Sequence, residues 1–136
     1  MAKILTFVDS GVLITAVRGQ DPLLQARSLS LLNAPDRDFA TSAFVRLEVM
    51  PKAVWANNRT ERLFYESFFS RATHWLDDYQ VAIQQAEMEA NLYGLGSMDA
   101  LHIAAAVLLK ADEFVTIEKA TKSIHRTKSI KVISLR

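Results

Sequence analysis

Short apolar runs alternate with longer amphipathic stretches along the chain. Ile4–Val8 is mostly apolar and partly β-branched and stops at Asp9-Ser10-Gly11, which predicts a buried strand entering a turn. Helical patterns follow over Val12–Val17 and again from Pro22, where apolar residues recur as far as the turn residues Asn33-Ala34-Pro35-Asp36. The chain is therefore predicted to begin with a strand followed by two helices.

The remaining sequence continues this alternation. Met98–Lys110 is the most apolar helical stretch, and we expect it to pack between a sheet and other helices because apolar residues cover most of its circumference. After the first two helices, a strand is predicted at Phe39–Thr41, followed by a helix that Ser42 caps and that runs toward Trp55 with a bend at Pro51. An amphipathic helix capped by Thr60 is predicted over Glu61–Leu76, then a strand at Gln80–Ile83 and a helix over Gln84–Leu92. The last predicted elements are a Gly94-Leu95-Gly96 loop, the helix Met98–Lys110 capped by Ser97, and strands at Glu113–Ile117 and Lys131–Leu135.

This order of elements predicts the fold class. Strands that alternate with helices imply an α/β fold with a mainly parallel sheet. The chain has 136 residues, and splitting it would leave two halves that are each too small to bury a useful core. Residues 1–136 are therefore expected to form one domain.

The composition narrows the possible chemistry. Hydrophobic residues make up 50% of the chain and charged residues 23%, which is typical of a folded soluble protein. Cysteine is absent, so any metal must be bound by oxygen or imidazole ligands. No stretch has the pattern of an export signal or is long enough to cross a bilayer, so a cytoplasmic location without a membrane span is expected.

Charge is distributed unevenly. The last 18 residues contain six basic residues and no acid, so residues 1–118 carry −5 of the total net charge of +1. A basic segment beside acids is suited to a protein that attracts a polyanion and handles it through metal ions, although a solvated lysine-rich terminus accounts for the same pattern. The six basic residues are Lys119, Lys122, Arg126, Lys128, Lys131 and Arg136.

Four carboxylates lie where an acid is unusual, at the end of an apolar strand or on the apolar face of a helix. An unpaired buried carboxylate is costly, so such acids usually accept hydrogen bonds, pair with a cation or hold a metal. The four are Asp9, Glu48, Asp99 and Glu118.

Two of these acids follow strands. Asp9 ends the first strand, and ligands of parallel α/β proteins usually bind at the carboxyl ends of strands; the alternative is that Asp9 caps the next helix. Glu118 repeats the pattern, with the alternative of a solvated acid beside Lys119 and Lys122. The preceding pair Asp112-Glu113 is interpreted as solvated loop charge.

The other two acids lie on helices. Glu48 continues a helix face that otherwise points to the core, although it could instead reach the rim of the core or pair with Arg46 or Lys52. Asp99 occupies the first turn of Met98–Lys110, where the helix dipole also favours a negative charge.

Taken together, these acids predict a metal site. Four carboxylates in one cleft would repel each other unless a cation neutralised them, and Mg²⁺ or Mn²⁺ prefers oxygen ligands. Two such ions ~3.5–4 Å apart could activate a water and stabilise a leaving oxygen. His102 lies one turn after Asp99 and either touches this site or is a buried structural histidine, the second reading being favoured. No zinc-ligand spacing, serine–histidine–acid set or Gly-rich phosphate loop is visible.

Four segments in this order resemble the PIN-domain family of metal-dependent nucleases, in particular the small VapC-type toxins. Their order and spacing cover nearly the entire chain. The segments are Phe7-Val8-Asp9-Ser10, Arg46-Leu47-Glu48, Ser97-Met98-Asp99-Ala100-Leu101-His102 and Phe114-Val115-Thr116-Ile117-Glu118.

The resemblance implies a PIN-like three-layer fold and an Mg²⁺- or Mn²⁺-dependent endoribonuclease that hydrolyses RNA with a metal-activated water. In that family the positions of Asp9, Glu48 and Asp99 bind metal, and Glu118 would be a fourth acid, although the family commonly has aspartate there. Substrate-binding residues would be Ser10, Thr116 and Lys119.

The resemblance also implies a homodimer and a cognate antitoxin that covers the site. The aromatic residues Phe64, Phe68, Phe69 and Trp75 of the predicted helix Glu61–Leu76 offer a possible interaction surface, although such residues are more often core. Two other hypotheses remain open: a non-catalytic PIN-like module that binds RNA or protein, motivated by Glu118, and a receiver-like phosphoacceptor domain, which ordinarily needs a second acid beside Asp9.

Overall fold

The computed structural model describes residues 2–136, which form an α/β fold as predicted. The elements are, in chain order, β1 (Ile4–Val8), α1 (Ser10–Arg18), α2 (Pro22–Leu32), β2 (Arg37–Thr41), α3 (Ala43–Trp55), α4 (Arg59–Arg71), β3 (His74–Trp75), α5 (Tyr79–Tyr93), α6 (Ser97–Leu108), β4 (Glu113–Thr116), a 3₁₀ turn (Ser123–Arg126) and β5 (Val132–Ser134).

The five strands form one parallel sheet in the order β3-β2-β1-β4-β5. β1 is central: Phe7 pairs with Ala40 of β2 on one side and with Phe114 of β4 on the other. From β1 the chain adds β2 and β3 on one side of the sheet, and it later adds β4 and β5 on the other side. Ligands of parallel α/β sheets usually bind at such a reversal of strand order, in the crevice at the carboxyl ends of the strands. Asp9 is the first residue after the carboxyl end of β1.

Helix α6 forms the centre of one packed layer, as its apolar sequence predicts. It contacts β2 and β4 of the sheet and packs along α5. Ile103 and the three alanines after it are fully buried, and small side chains of this kind let the helix approach its neighbours closely. The buried residues of this helix are Ala100, His102, Ile103, Ala104, Ala105 and Ala106.

The predicted strand at Gln80–Ile83 is wrong, because these residues belong to α5. The Asp78 side chain accepts a hydrogen bond from Val81 N and so starts a helix at this point. Ala82, Ala86 and Glu89 are then buried at helical spacing along this helix. A short apolar and β-branched run therefore joined the following helix instead of the sheet.

The predicted helix Glu61–Leu76 is too long. It ends at Arg71, and Trp75 lies in β3, paired with Thr41 of β2. Its N-cap is Asn58, whose side chain accepts from Glu61 N, and not the predicted Thr60. Phe68 and Phe69 are buried, so this aromatic set is mainly core and does not form the continuous interaction surface considered from the sequence.

The loop between α5 and α6 also differs in detail from the prediction. Gly94 ends α5 with a positive φ of 68°, a conformation that glycine adopts without steric cost. Gly96, and not Ser97, is the N-cap residue of α6, and the helix ends at Leu108 before Lys110. None of the helices within residues 2–136 is long and apolar enough to span a membrane.

Candidate metal centre

Asp9 lies at the junction of β1, β4 and α1. Its N–H donates to the Val115 carbonyl (2.9 Å), and its buried carboxylate accepts from Thr116 Oγ1 (3.0 Å). Although Asp9 is the N-cap residue of α1, its side chain makes no capping hydrogen bond. Asp9 therefore occupies the N-cap position that the sequence left open, but its carboxylate accepts from Thr116 of β4 instead of capping the helix.

Glu48 and His102 join α3 to α6. Glu48 Oε1 forms a hydrogen bond with His102 Nε2, and this contact is the main reason that the pKa of Glu48 lies below its ordinary value. The Ser10 hydroxyl and, weakly, the Lys52 charge act in the same direction. Glu48 is thus held by a buried histidine, whereas the alternative partner Arg46 lies over the Phe69 ring.

Asp99 occupies the first turn of α6, one turn before His102. Burial is the largest cause that raises its pKa above the ordinary value, and the negative charges of Asp9, Glu118 and Glu48 raise it further. The pKa of Asp9 is also raised, first by burial and then by the charge of Glu48, while His102 and Thr116 oppose the shift. The four predicted acids therefore act on one another in a single region.

One ligand atom each from Asp9, Glu48 and His102 lies within 4.8 Å of the other two, a spacing suited to a metal ion. Asp99 and Glu118 lie outside this triad, although both contribute negative charge to it. Burial and the neighbouring carboxylates raise the pKa values of Asp9 and Asp99, and a bound cation would oppose both effects. A carboxylate-rich site of this kind fits a hard divalent cation.

Other buried acids in the chain have partners of their own. Glu61 accepts hydrogen bonds from Tyr65 Oη (2.6 Å) and Asn58 Nδ2 (3.1 Å). Burial, and after it the contact with Glu61, raises the pKa of Tyr65. Glu89 accepts from the hydroxyls of Thr127 (2.8 Å) and Ser129 (2.7 Å). By contrast, within residues 2–136 no hydrogen bond to the Asp99 carboxylate is found. Asp99 thus differs from the structural acids, whereas Asp9 and Glu48 each have one side-chain partner, Thr116 and His102.

The prediction of solvated loop charge is confirmed for Asp112, which is exposed before β4, and is wrong for Glu113. Glu113 is buried at the start of β4, where it accepts from Thr6 Oγ1 (2.8 Å) and from Arg37 Nε (3.1 Å). Asp112 is exposed, but its carboxylate accepts from Leu5 N (2.8 Å). Both acids therefore fasten the amino-terminal end of β4 to its neighbours, at the end of the strand opposite Thr116.

The remaining predicted site residues follow Asp9 or lie at the end of β4. Thr116 is fully buried, and its Oγ1 donates to Asp9 and accepts from Glu118 N (3.1 Å), which fixes the turn after β4. Ser10 is buried at the start of α1. Glu118 is partly buried, and Lys119 is exposed beside it. The Glu48–His102 contact is the feature that sequence reasoning ranked too low; its signal was the three-residue spacing of Asp99 and His102 on one helix face.

No protein-family model and no curated protein matches the sequence. Solved structures share its fold. A chain of a toxin–antitoxin complex from Klebsiella pneumoniae is 20% identical, with 96% of this chain and 98% of that chain covered and a TM-score of 0.72. A chain of VapBC2 from Rickettsia felis, bound to a DNA fragment from its promoter, is 17% identical with the same coverage and a TM-score of 0.71. A chain of DNA-bound VapBC from Salmonella typhimurium is 20% identical over the whole of both chains, with a TM-score of 0.63.

These likenesses concern the fold. The chain has the PIN-like α/β fold that its resemblance to VapC-type toxins implied, with the parallel sheet in the centre and helices around it. The acids were predicted from the sequence, and the fold brings them to the carboxyl end of β1.

Proposed function

We propose that this chain is an endoribonuclease that depends on Mg²⁺ or Mn²⁺ and that acts as the toxin of a toxin–antitoxin pair. The observation that carries the proposal is the close spacing of Asp9, Glu48 and His102 at the end of β1, with Asp99 near enough for the carboxylates to raise its pKa. The fold shared with chains of VapBC complexes supports the same reading.

Each acid has a proposed role in this centre. Asp9, Glu48 and Asp99 would hold the ion, and Glu118 would contribute at the edge, directly or through water. A divalent ion there would neutralise the carboxylates, polarise the scissile phosphate and lower the pKa of a nearby water. Thr116 fixes the Asp9 carboxylate through its hydrogen bond, and the Ser10 hydroxyl lies on the Glu48 side of the centre.

The basic carboxyl-terminal segment is proposed to attract the RNA. It begins at Lys119, directly after the fourth acid, and its six basic residues are all exposed. Lysine and arginine side chains that contact phosphates release bound counterions, and this electrostatic term does not depend on sequence. The segment can therefore bring a polyanion to a centre that would otherwise repel it.

Two protein partners are proposed. The antitoxin is inferred from the shared fold, since the similar chains come from toxin–antitoxin complexes. The second partner is another copy of this chain. Large apolar side chains are exposed along α3 and α5. The two helices approach each other at Phe44 and Tyr79, whose ring centroids are 5.6 Å apart. On α3 these side chains are Leu47, Val54 and Trp55, which line one groove, and on α5 they are Tyr79, Val81, Ile83, Met88 and Leu92.

The direct test of the catalytic proposal is cleavage of a mixture of single-stranded and structured RNAs by the purified chain. We expect cleavage with Mg²⁺ or Mn²⁺, loss of cleavage with EDTA, and a loss on the order of 10²-fold or more in Asp9→Asn and Asp99→Asn. Glu87→Gln, on the exposed side of α5, serves as the matched control.

Persistent cleavage by both folded variants would contradict the proposal. Binding of RNA, or of a protein partner, without metal-dependent turnover would instead support the non-catalytic module. The receiver-like alternative is not supported by the site, because two of its acids come from helices α3 and α6 and Asp9 is followed by Ser10.

A further inference from the structure

A groove between β3, α3 and α4 combines aromatic rings with opposite charges. Its volume is ≈ 470 Å³, within the range of about 300–1,000 Å³ that is usual for small-ligand sites. Three of its residues are spaced so that they share one face of α4. The lining residues are Arg46 of α3, Glu66, Phe69 and Ser70 of α4, and Trp75 of β3. This mixture of surfaces suits a flat, polar ligand.

The aromatic part of the groove offers a surface for stacking. Phe69 is buried, whereas Trp75 is 39% exposed, and their ring centroids are 5.6 Å apart. The Arg46 guanidinium lies over the same Phe69 ring, 5.4 Å from its centroid. Phe69 thus contacts both side chains and keeps the exposed indole and the guanidinium at one groove. Aromatic faces and guanidinium planes are the surfaces on which unpaired RNA bases stack.

Two opposite charges in the groove have no ionic partner. Arg46 and Glu66 are both exposed, and within residues 2–136 neither forms an ion pair with another side chain. A nucleobase has a flat face for the rings and N–H groups for the carboxylate, and its phosphate suits the guanidinium. An apolar side chain of a protein partner would cover the rings but leave both charges unpaired.

Guanine is the base that fits the carboxylate best. Its Watson–Crick edge carries two adjacent N–H donors, which one carboxylate can accept together, whereas uracil has a single N–H donor on that edge. Glu66 is the acid that lines the groove, so the preference for guanine should depend on it.

The groove lies at the same edge of the sheet as the metal centre. Asp9 directly follows β1, and Trp75 is the last residue of β3. Because the five strands are parallel, both residues lie at the carboxyl edge. β2 lies between the two strands, so β1 and β3 are two strand spacings apart, about 10 Å. An RNA strand that places a phosphate at the acids can therefore reach the groove with a nearby base.

We propose that this groove binds one unpaired guanine of the RNA, with the base stacked on Trp75, its Watson–Crick edge on Glu66 and its phosphate on Arg46. The inference rests on the proposed ribonuclease function and adds a base preference to it. Contacts to phosphate, including those of a metal ion, carry no sequence information, so a preference requires a site that contacts a base.

The fluorescence of Trp75 tests the stacking directly. The chain has two tryptophans, and Trp55 is 91% exposed, so Trp55→Phe leaves Trp75 as the only tryptophan without disturbing the core. This variant is titrated in EDTA, where no metal-dependent cleavage occurs, with a pentauridine RNA and with the same RNA carrying one central guanine. We expect quenching of Trp75 and about 10-fold tighter binding of the guanine RNA.

Glu66→Gln in the same background should remove this preference, because it replaces the carboxylate that accepts both N–H groups. Glu87→Gln, an exposed acid on α5, is the matched control and should keep it. Equal affinity for the two RNAs, or a preference that survives in Glu66→Gln, overturns the inference. A Trp75 signal that neither RNA changes also overturns it and leaves the groove to a protein partner.

Cleavage of longer uridine RNAs, with and without one guanine, separates this inference from the proposed function. If the parent binds guanine on Trp75 but cleaves neither RNA with Mg²⁺, the catalytic proposal fails and the guanine site stands. If Mg²⁺-dependent cleavage occurs without a guanine preference in binding or in rate, the guanine site is overturned and the catalytic proposal stands.

Discussion

Asp9 combines burial with a single side-chain donor, Thr116 Oγ1. That hydrogen bond and the His102 ring lower its pKa, but burial and the Glu48 charge outweigh them. A carboxyl whose pKa is higher in the folded chain than in the unfolded one destabilises the fold once the pH exceeds its ordinary value. The buried Asp9 carboxylate therefore lowers the free energy of unfolding of the metal-free protein at neutral pH.

Asp9→Asn should make the metal-free protein more stable at pH 7. Asparagine is nearly the same shape, carries no charge and can still accept from Thr116. The gain should be complete above the folded-state pKa of Asp9 and should shrink as the pH falls toward about 4, where the unfolded carboxyl is protonated as well. Urea denaturation in EDTA at several pH values measures this difference. A less stable Asp9→Asn at pH 7 would contradict the assignment of Asp9 as an under-neutralised acid.

At the scale of elements, the sequence predicted those whose pattern is dictated by burial. β1, β2, β4, β5 and the first three helices are confirmed within a few residues of their expected ends. The strand predicted at Gln80–Ile83 is wrong because a local hydrogen bond decided the outcome: Asp78 caps α5 just before this run, whose pattern also suits a strand. β3 is only two residues long and has no pattern of its own; it is set by its pairing with Ala40 and Thr41.

Gly94 gives an element-scale prediction. Its φ of 68° lies in the left-handed region, where a side chain with a Cβ is strained. Gly94→Ala should lower the free energy of unfolding by about 1 kcal/mol, since the alanine Cβ is sterically strained in this left-handed conformation at the end of α5. Gly94→Asn should lose less, because asparagine tolerates this conformation. Thermal and urea denaturation of both variants provide the comparison, and equal stability of Gly94→Ala and the parent would contradict the assigned cap.

At the scale of the whole molecule, the metal centre was predictable as a set of residues but not as a geometry. The acids are visible because each interrupts an apolar pattern, and the parallel fold explains why strand ends and helix starts meet. The same signal could not separate Glu89 and Glu113 from the site acids, because their donors Thr127 and Thr6 come from distant parts of the chain. The Glu48–His102 contact joins residues 54 positions apart and belongs to the same class. Glu61 is different, since its donor Tyr65 lies one turn later on α4.

The proposed second copy also gives a prediction at this scale. Trp55 is 91% exposed on the apolar face of α3 and lines a groove of ≈ 520 Å³ with Leu47 and Val54. If this face is the interface, Trp55→Lys should weaken self-association about 30-fold or more, since a buried interface tryptophan commonly contributes ~2 kcal/mol. Leu63→Lys, an exposed apolar position on α4, is the matched control. Sedimentation equilibrium that shows a monomeric parent, or equal association of both variants, would contradict the proposed dimer.

The central claim is that Asp9, Glu48 and Asp99 form one divalent-metal site, and a crystal structure of the protein soaked in Mn²⁺ tests it most directly. Anomalous scattering identifies the ion independently of any activity. We predict a Mn²⁺ peak at the carboxyl end of β1, within about 2.3 Å of oxygens from these carboxylates. A saturating soak without a peak at these acids, or with a peak elsewhere, would contradict the account.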